Sequence, residues 1–208
     1  MIKLYGAPFT RAGRAVWMLE ETGQPYELIS KNPQNGETRS DEMLALNPNG
    51  HVPVLDDNGT VIWESMAVNL YLADKYQTLM PATAETRGAA YQWSFWAITE
   101  AEGPLLDILM HSMFLPEEMR DPGKAEAGYE AIKAPLAALE QSLQGKDYLL
   151  DDEFTVADLN VCSVLGFAAY IQYDFSPYPA IAGWLGRCNA RPAAQKMVQL
   201  AQEAMAGD

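Results

Sequence analysis

Cysteine is scarce in this chain, and the scarcity limits the chemistry to be expected of it. The 208 residues include two cysteines, Cys162 and Cys188, both in the last quarter. So few cysteines argue against a disulfide framework and are typical of a reducing compartment. The first 80 residues contain none, which excludes a redox-active Cys-x-x-Cys pair there. Cys162 stands among apolar residues, so we interpret it as a small buried hydrophobic side chain.

Metal-ligating residues and phosphate-binding motifs are also few. The two histidines, His51 and His111, stand 60 positions apart, and no group of His, Cys, Asp and Glu has the spacing of metal ligands. We therefore predict no metal site. The sequence also lacks the glycine-rich loops that bind nucleotide phosphates and the Gly-x-Ser-x-Gly turn of many hydrolases.

Basic residues are outnumbered two to one by acidic residues. Fourteen Lys and Arg against 28 Asp and Glu leave a formal net charge of −14. A chain of that charge repels phosphate backbones and anionic lipids, so neither nucleic acid nor a membrane is an expected partner. No apolar run reaches the roughly 18 residues of a membrane span. The start, Met1–Leu4, lacks the features of a signal peptide, and we therefore expect a cytoplasmic protein.

Apolar side chains are plentiful, and their periodicity predicts two domains. They make up 49% of the chain, which excludes intrinsic disorder. Residues 1–76 alternate strand patterns with helix patterns, separated by turns that contain Gly or Pro. The predicted order β-α-β-α-β-β-α indicates a small sheet with helices on its faces. Its strands are Ile2–Tyr5, Tyr26–Ile29, Val52–Leu55 and Val61–Trp63, and its helices are Ala12–Thr22, Asp41–Leu46 and Glu64–Tyr76.

Strand patterns largely stop after a linker at residues 77–84. A long helical region is predicted over Glu85–Leu115, with a kink at Gly103-Pro104. An apolar stripe with spacings of 3, 4, 3 and 4 residues then predicts one further helix facing a core. The stripe consists of Tyr129, Ile132, Leu136, Leu139 and Leu143.

The last quarter of the chain is also predicted to be helical. A capping box at Thr155 and Asp158 begins a helix that is predicted to run to Ile171. Because this helix is apolar on nearly every side, we expect it to be central and buried. Two further helices are predicted at Ala180–Asn189 and Arg191–Ala206.

Three local features of the first domain are candidate parts of a binding site. The first is the loop Gly6–Arg11, which joins the first strand to the first helix. Thr10 and Arg11 stand just ahead of the helix, where backbone N–H groups and the helix dipole stabilise an anion. Taken alone, Thr10 is better explained as a helix N-cap.

The second feature is the segment His51-Val52-Pro53-Val54. A proline between two β-type residues is a candidate for a cis peptide bond, which costs only about 0.5–1 kcal/mol before proline. A cis bond would turn the backbone of Val52 outward, ready to pair with an extended peptide. A trans proline at the first position of a strand is the alternative.

The third feature is Glu64-Ser65, at the start of the last helix of the first domain. A hydroxyl, a carboxylate and unpaired N–H groups together suit the α-carboxylate and ammonium of an amino acid. Taken alone, these two residues are better explained as a plain helix cap.

In this order, the three features resemble the cytosolic glutathione transferases, over essentially the whole chain. Residues 47–55 are similar to the family's loop before its cis-proline, and residues 64–72 to its glutamate-serine helix. Phe154–Asp158 resembles the capping box of its buried core helix. The first loop is closest to that of bacterial-type members of the serine or cysteine kind. The resemblance implies an α/β plus all-α fold, with a thioredoxin-like, glutathione-binding domain at residues 1–77 and an all-helical domain at residues 84–208.

The resemblance also implies that glutathione is the co-substrate, bound without a metal. Glu64 and Ser65 are expected to hold its γ-glutamyl end, and Val52, beside Pro53, to pair with its cysteinyl backbone. His51 stands where many relatives have Lys or Gln against the glycine carboxylate. Only a protonated imidazole adds charge there, so binding is expected to strengthen at lower pH.

The catalytic position implied by the resemblance is a choice between two residues. Thr10 stands where serine-type relatives have their Ser and keeps the hydroxyl, although its methyl group restricts its rotamers. Cysteine-type relatives have a Cys where this chain has Arg11. Tyr5 stands where tyrosine-type relatives have their catalytic phenol and is our second choice. Either side chain would stabilise the glutathione thiolate for attack on a small apolar electrophile.

The electrophile and the oligomeric state are expected to involve aromatic side chains. A homodimer is implied by the resemblance, with Tyr91, Trp93 and Trp96 as its expected contact area. The electrophile pocket is expected to include residues that are equally explained as core or interface. These are Phe9, Phe95, Trp96, His111 and Phe114.

Two alternatives to a transferase stay open at this point. The same fold also suits a non-catalytic protein that binds glutathione or apolar ligands, or that serves in an assembly, and Thr10 is the residue on which this distinction depends. Glutathione-dependent reduction or isomerisation of disulfides needs the same thiol site, so the sequence does not separate it from conjugation.

Overall fold

The computed structural model of the chain describes residues 1–150 and 152–207. Two compact units are present, Met1–Met80 together with the segment from Asn189 onward, and Pro81–Cys188. The predicted domain bounds, residues 1–77 and 84–208, stay a prediction, and Asp151 and Asp208 within the second of them lie outside the described residues.

The first unit contains the predicted alternation of strands and helices. Short 3₁₀ turns at Pro33–Asn35 and Glu37–Arg39 precede its second helix. The order β-α-β-α-β-β-α is confirmed. The elements are β1 (Ile2–Tyr5), α1 (Ala12–Thr22), β2 (Tyr26–Ile29), α2 (Asp41–Leu46), β3 (Val54–Asp57), β4 (Thr60–Trp63) and α3 (Ser65–Tyr76).

The four strands form one mixed sheet in the order β2-β1-β3-β4. β1 pairs with β2 in parallel and with β3 antiparallel, so that Tyr5 is opposite both Ile29 and Val54. β3 and β4 form an antiparallel hairpin in which Asp57 pairs with Thr60. Its two-residue turn has positive φ at Asn58 and Gly59, the conformation that a tight hairpin turn requires.

The predicted third strand, Val52–Leu55, is displaced by two residues. β3 begins at Val54 and continues to Asp57. Pro53 has no N–H to donate to a neighbouring strand, which explains the late start. Asp57 is tolerated in the strand because its buried carboxylate accepts hydrogen bonds from Asn58, Tyr71 and Lys75.

Helix α1 is more deeply buried than its amphipathic pattern predicts. All eight residues at 12–19 are buried, among them Arg14 and Trp17. The predicted apolar face is only part of the reason, because α1 packs against β1, α3 and also the last helix of the chain, α11 (Pro192–Gly207). A helix enclosed on several sides buries residues that its pattern alone would place in solvent.

An ion pair joins the residue ahead of α11 to α1. The Arg191 guanidinium donates to both carboxylate oxygens of Glu21 at 2.7 Å, and the indole Nε1 of Trp17 donates to one of them at 3.0 Å. A bidentate pair of this kind fixes orientation as well as distance. It holds the C-terminal half of α1, at the end opposite to the loop that precedes the helix.

The second unit is helical, as predicted, and its long first region contains two π-helical segments. The segment Ala97–Ala101 ends two residues before Gly103-Pro104, where a kink is predicted. Pro104 removes one backbone donor, and wider turns accommodate such a loss. The elements are α4 (Ala84–Trp96), a π segment (Ala97–Ala101), α5 (Glu102–Leu109), a π segment (Met110–Phe114), α6 (Pro122–Ala131), α7 (Lys133–Leu143), α8 (Val156–Leu165), α9 (Phe167–Tyr170) and α10 (Pro179–Asn189).

Two predicted helices are interrupted. The stripe from Tyr129 to Leu143 spans α6 and α7, which are separated at Ile132. Pro135, in the first turn of α7, has no N–H for the carbonyl of Ala131, and this explains the interruption. The four aliphatic members of the stripe are buried, whereas Tyr129 is 38% exposed. The helix predicted to run to Ile171 is likewise divided, at Gly166.

The buried core helix α8 has the capping box predicted for it. Asp158 accepts hydrogen bonds from the backbone and side chain of Thr155, from the Leu149 amide and from the Trp184 indole. Burial nevertheless raises the pKa of the Asp158 carboxyl, against the opposing effect of these donors. The helix is enclosed on nearly all sides, as predicted.

The helices were also compared with the requirements of a membrane span. Among the described residues, no helix combines the length and the apolar character needed to span a lipid bilayer.

Candidate active site

The loop before α1 is folded back on itself by hydrogen bonds. The Thr10 hydroxyl donates to the carbonyl of Ala7 at 2.7 Å and accepts the Ala12 N–H at 3.1 Å. The N-cap of α1 is Arg11, which makes no side-chain cap hydrogen bond among the described residues, so the Thr10 hydroxyl closes the turn just before the helix instead. The same hydroxyl belongs to a half-buried residue at a helix N-terminus, where an anionic sulfur would be stabilised.

Two glycines allow the loop to pack this closely. A methyl group on Gly13 would lie 2.3 Å from the Pro8 carbonyl oxygen, and one on Gly6 would lie 2.6 Å from the Ala12 Cβ. The same methyl group on Gly6 would lie 3.0 Å from the Cβ of Val52. These distances are too short for a side chain, so both positions require glycine. The packing at Gly6 brings two of the predicted features, the first loop and Val52, side by side.

Tyr5, the second catalytic candidate, lies in a hydrophobic cluster. Its side chain is 6% exposed and packs with Met43 and Val54. Three partly buried aliphatic side chains complete the surroundings, those of Ile29, Leu46 and Val52. These contacts give Tyr5 a packing role. Such a role is sufficient to explain a tyrosine at the end of a buried strand.

The loop before β3 has the predicted backbone geometry. The Val52–Pro53 peptide bond is cis. The buried Asn47 organises the residues ahead of it, donating from Nδ2 to the carbonyl of His51 at 2.9 Å and accepting the Asn49 N–H at 3.0 Å. His51 is exposed and Val52 is half-buried.

Arg39 is a residue near this loop that the sequence did not single out. Gly50 has a φ of 66°, and a Cβ at that position would lie 3.2 Å from the Arg39 Cγ. The exposed side chain of Arg39 thus stands beside the residue that precedes His51. The sequence contained one indication of Arg39, because basic residues are few in a chain with a net charge of −14 and are candidates to bind an anionic ligand.

The start of α3 combines a strained backbone with a buried hydroxyl. Glu64, the N-cap, has a φ of 73°, a left-handed value that non-glycine residues adopt at a cost of about 1–3 kcal/mol. Its side chain is exposed, whereas Ser65 is buried. Within the described part of the chain, Glu64 makes no side-chain cap hydrogen bond to the first turn of α3.

Arg14 is the second residue that the sequence did not single out. It is 4% exposed, and its Nη1 donates to the Ser65 Oγ at 3.3 Å. The available signal was its position, because it is the one charged residue of an otherwise apolar run from Ala12 to Leu19. Which residue it meets could not be deduced, since Ser65 is 51 positions further along the chain.

The residues expected to bind the electrophile have different surroundings. In the first unit, Phe9 is half-buried. In the second, Phe95 is 61% and Phe114 52% exposed, and the half-buried Trp96 packs its edge against Trp93. Phe114 makes an edge contact with Tyr170, at a centroid distance of 6.2 Å.

His111, also expected in that pocket, has a structural partner. Its Nδ1 accepts the backbone N–H of Asp121 at 3.1 Å, and the imidazole is half-buried. The contact ties the end of the first helical region to the cap of α6.

Neither cysteine is accessible to a dissolved reagent or substrate. Cys162 and Cys188 are both buried. A hydrogen bond with Cys162 and burial both raise the pKa of the Cys188 thiol, which keeps it protonated and unreactive. Across residues 1–150 and 152–207, no group of three or more His, Cys, Asp and Glu side chains has a metal-binding arrangement.

Comparison with known proteins agrees with this geometry. Residues 1–74 match the family model described as glutathione S-transferase, N-terminal domain, and residues 104–192 match its C-terminal domain. The chain is 30% identical over 205 residues to glutathione S-transferase GstB of Escherichia coli K12, covering 96% of this chain and 99% of that protein. It is also 30% identical over 207 residues to glutathione S-transferase 4 of Zea mays, covering 95% and 92%.

Solved structures show the same fold. A glutathione transferase of Phanerochaete chrysosporium in complex with oxidised glutathione has a TM-score of 0.88 and 29% identity, covering 98% of this chain and 97% of that chain. A theta-class enzyme of Xanthomonas axonopodis with glutathione bound has a TM-score of 0.87 and 28% identity, covering 95% and 96%. These findings confirm the predicted fold class, and the chain belongs to the glutathione S-transferase family.

Proposed function

We propose that this chain is a glutathione transferase that activates the glutathione thiol at the start of α1 for attack on a small apolar electrophile. The observation that carries the proposal is the set of anion-stabilising groups on the first unit. The start of α1, the cis-proline loop and the start of α3 each offer backbone or hydroxyl donors. A peptide with two carboxylates and a thiol matches these groups.

The γ-glutamyl end of glutathione binds at Glu64 and Ser65. Its ammonium pairs with the exposed carboxylate of Glu64, and its α-carboxylate accepts from the Ser65 hydroxyl and from first-turn N–H groups of α3. Charge-assisted bonds of this kind contribute about 1.5–3 kcal/mol each. This end therefore supplies much of the affinity.

The remainder of the peptide binds along the cis-proline loop. The backbone of Val52, next to Pro53, pairs with the cysteinyl unit. His51 and Arg39, whose side chains are both exposed at this loop, bind the glycine carboxylate. Arg39 supplies a permanent positive charge there, so His51 is expected to adjust the affinity rather than determine it.

Thr10 is the proposed activator of the thiol. A thiol with a pKa of about 8.5 is only about 3% thiolate at pH 7, and lowering its pKa by about 2 units makes thiolate the majority species. The Thr10 hydroxyl can donate one hydrogen bond, and in this structure it donates that bond to the carbonyl of Ala7. Exchanging that neutral hydrogen bond, worth about 1 kcal/mol, for one to an anionic sulfur of about 1.5–3 kcal/mol is favourable.

Tyr5 remains the second choice for this role. Its burial among Met43, Val54 and their neighbours supports a packing function. Removing its hydroxyl should therefore affect catalysis less than removing that of Thr10.

Phe9, Phe95, Trp96, His111 and Phe114 stay the side chains predicted to bind the electrophile. A small apolar molecule suits these groups because apolar area and ring contacts provide the binding energy.

We further propose that the protein acts as a cytoplasmic homodimer. Of the predicted contact residues, Tyr91 is exposed and offers apolar contact area, whereas Trp93 and Trp96 are half-buried.

A second candidate function is favoured by one observation. If Thr10 keeps its hydrogen bond to the carbonyl of Ala7, the protein binds glutathione without activating it. Disulfide reduction or isomerisation is a third alternative. It would depend on the glutathione thiol alone, since Cys162 and Cys188 are buried.

Thiolate absorbance of the glutathione complex, measured against pH, tests the proposal. Thr10→Val keeps the shape of the side chain and removes the donor, so the pKa of bound glutathione should rise and turnover at pH 7 should fall. Thr10→Ser should retain or improve activity, and Tyr5→Phe should change little. Affinity for a glutathione analogue without a thiol is the control and should stay nearly constant in all three variants.

Each contrary result selects an alternative. A large rise in thiol pKa with Tyr5→Phe but not with Thr10→Val would make Tyr5 the activator. A thiol pKa that neither variant changes would leave activation to backbone N–H groups. No turnover by the unmodified protein, in a screen of electrophiles and of disulfides with glutathione, would favour the non-catalytic binder.

A further inference from the structure

The burial of Arg14 calls for a physical reason. Its guanidinium belongs to a residue with 4% exposure, within a helix segment whose other buried residues are apolar. Removing such a charge from water costs several kcal/mol unless hydrogen bonds compensate it. One of those bonds goes to the Ser65 hydroxyl at the start of α3. A residue retained at that cost, next to a proposed ligand-binding hydroxyl, has a candidate role beyond packing.

The hydrogen bond has a fixed direction. A guanidinium only donates, whereas a serine hydroxyl has one donor and two acceptor positions. Ser65 Oγ therefore accepts this hydrogen bond, and its own hydroxyl proton stays available for donation to another group. A hydroxyl polarised in this way by a cation is also a stronger donor to an anion.

The surroundings of Ser65 favour an anion as the recipient of that proton. Ser65 is the first residue of the twelve-residue helix α3, whose N-terminus carries partial positive charge. The cap residue Glu64 directs its side chain to solvent instead of to these N–H groups, in the part of the chain that the structure describes. The hydroxyl proton, the N–H groups and the charge of Arg14 thus lie at one end of one helix.

We propose that Arg14 is a positioning residue, which holds the Ser65 hydroxyl as an acceptor so that Ser65 donates to the α-carboxylate of the γ-glutamyl group. The inference rests on the proposed function, because it presumes that glutathione binds at this helix start. Helix α1 then acts on two parts of the ligand. Its N-terminus faces the thiol, and its buried arginine acts on the γ-glutamyl end through Ser65.

A purely structural role for Arg14 makes different predictions. A residue that only holds α1 against α3 would, when replaced, weaken every ligand of the unit to a similar degree. A residue that acts through Ser65 weakens only ligands that carry the α-carboxylate. It also has no further effect once the Ser65 hydroxyl is gone, because coupled residues are not additive.

The experiment measures the affinity of two probes by calorimetry. One is S-methylglutathione, whose blocked thiol removes any contribution of thiol ionisation. The other is its counterpart with a carboxamide in place of the γ-glutamyl α-carboxylate. The proteins are the unmodified chain, Arg14→Met, Ser65→Ala and the double variant. Arg191→Gln is the matched control, since Arg191 also pairs with a residue of α1, at the far end of the helix.

Arg14→Met should weaken S-methylglutathione about 10-fold, as expected for one charge-assisted bond, and the carboxamide less than about 3-fold. The double variant should bind within about 2-fold of Ser65→Ala. Arg191→Gln should bind both probes within about 2-fold of the unmodified chain. Arg14→Lys, which keeps the charge but not the planar donors, should lose less than Arg14→Met and can replace it in the cycle if Arg14→Met does not fold.

Two results would overturn the inference. One is an equal loss of both probes in the arginine variant, and the other is losses that multiply in the double variant. Failure of the proposed glutathione site is distinguishable, because the unmodified chain would then not bind S-methylglutathione, and failure of catalysis is distinguishable by the turnover screen, on which this inference does not depend. If the unmodified chain binds and Ser65→Ala weakens it while Arg14→Met does not, only the inference fails.

Discussion

The starts of α1 and α3 lie on the same unit, and each presents a hydroxyl at a helix N-terminus, but the two hydroxyls are used differently. That of Thr10 bonds to the carbonyl of Ala7 and to the amide of Ala12, within its own loop. That of Ser65 accepts a hydrogen bond from Arg14 on another helix. The α3 start is therefore arranged for a ligand in advance, whereas the α1 start has to exchange a hydrogen bond to act on one.

The comparison teaches that affinity and activation are separable in this protein. Groups that are preorganised contribute to binding without rearrangement, because their donors already point outward. A donor that is engaged internally contributes only when the incoming acceptor is stronger than the one it replaces. Substitutions at α3 should thus change glutathione affinity, and substitutions at α1 should change the ionisation of the thiol.

Ser65→Ala should give the largest effect on binding. Loss of a charge-assisted hydrogen bond to the α-carboxylate is expected to weaken glutathione about 10- to 100-fold. The matched control is Ser94→Ala, which removes a buried hydroxyl of the second unit that accepts from Asn160 at 2.8 Å. Calorimetry should show little change in affinity for the control. Equal affinity of Ser65→Ala and the unmodified protein would refute the assignment of the γ-glutamyl site.

Gly13→Ala should disturb the start of α1 while leaving α3 intact. Its methyl group would lie 2.3 Å from the Pro8 carbonyl oxygen, so the loop that carries Thr10 has to move. We expect a loss of about 1–3 kcal/mol in the free energy of unfolding and a raised pKa of the bound thiol. Urea denaturation and thiolate absorbance measure the two quantities.

Gly88→Ala is the control for this substitution, because nothing lies within 4 Å of the added methyl group in α4. It should stabilise the protein by up to about 1 kcal/mol through helix propensity. A Gly13→Ala protein as stable and as active as Gly88→Ala would show that the close approach of Pro8 does not govern the Thr10 loop.

Asp57→Asn should lower stability without changing affinity, because Asp57 holds α3 from its far side through Tyr71 and Lys75. Burial alone would raise the pKa of Asp57, but its three donors outweigh that effect and lower it. We expect a loss of about 1–3 kcal/mol in unfolding free energy at pH 7. Glutathione affinity should stay within about 2-fold, since this end of α3 is remote from Ser65.

The pH dependence of this effect follows from the direction of the shift. A carboxyl with a lowered folded-state pKa contributes fully above its unfolded value of 3.8 and loses its contribution as the pH falls through the folded value. The difference between the unmodified protein and Asp57→Asn should therefore shrink below about pH 4. A difference that is constant down to about pH 3 would contradict the assigned charge network.

His51→Gln should give the smallest effect. An exposed polar group contributes little, so the loss of glutathione affinity, measured by calorimetry, should be about 2- to 5-fold. Arg39→Gln is the companion variant and should lose more, because it removes a permanent positive charge. An affinity of His51→Gln equal to that of the unmodified protein would remove the imidazole from the glycine-carboxylate site.

The amino-acid sequence by itself determined the order of elements and most of their bounds. Local rules suffice for these: Gly23 ends α1, Asn58-Gly59 forms the hairpin turn, and the Thr155–Asp158 box begins α8. The cis bond at Val52–Pro53 and the family itself were also predictable from short motifs. Local rules were less successful at Ile132, where Pro135 interrupts a stripe that has regular helical spacing.

Only the tertiary structure decided which side chains meet. The pairs Arg14 with Ser65 and Arg191 with Glu21 are 51 and 170 positions apart, and no periodicity connects them. The burial of Tyr5 likewise depends on Met43, a residue of another element. Spacing along the chain reports the neighbours within a helix or strand, whereas the charge and hydrogen bonding of a site depend on which helices pack together, and that is a property of the folded unit.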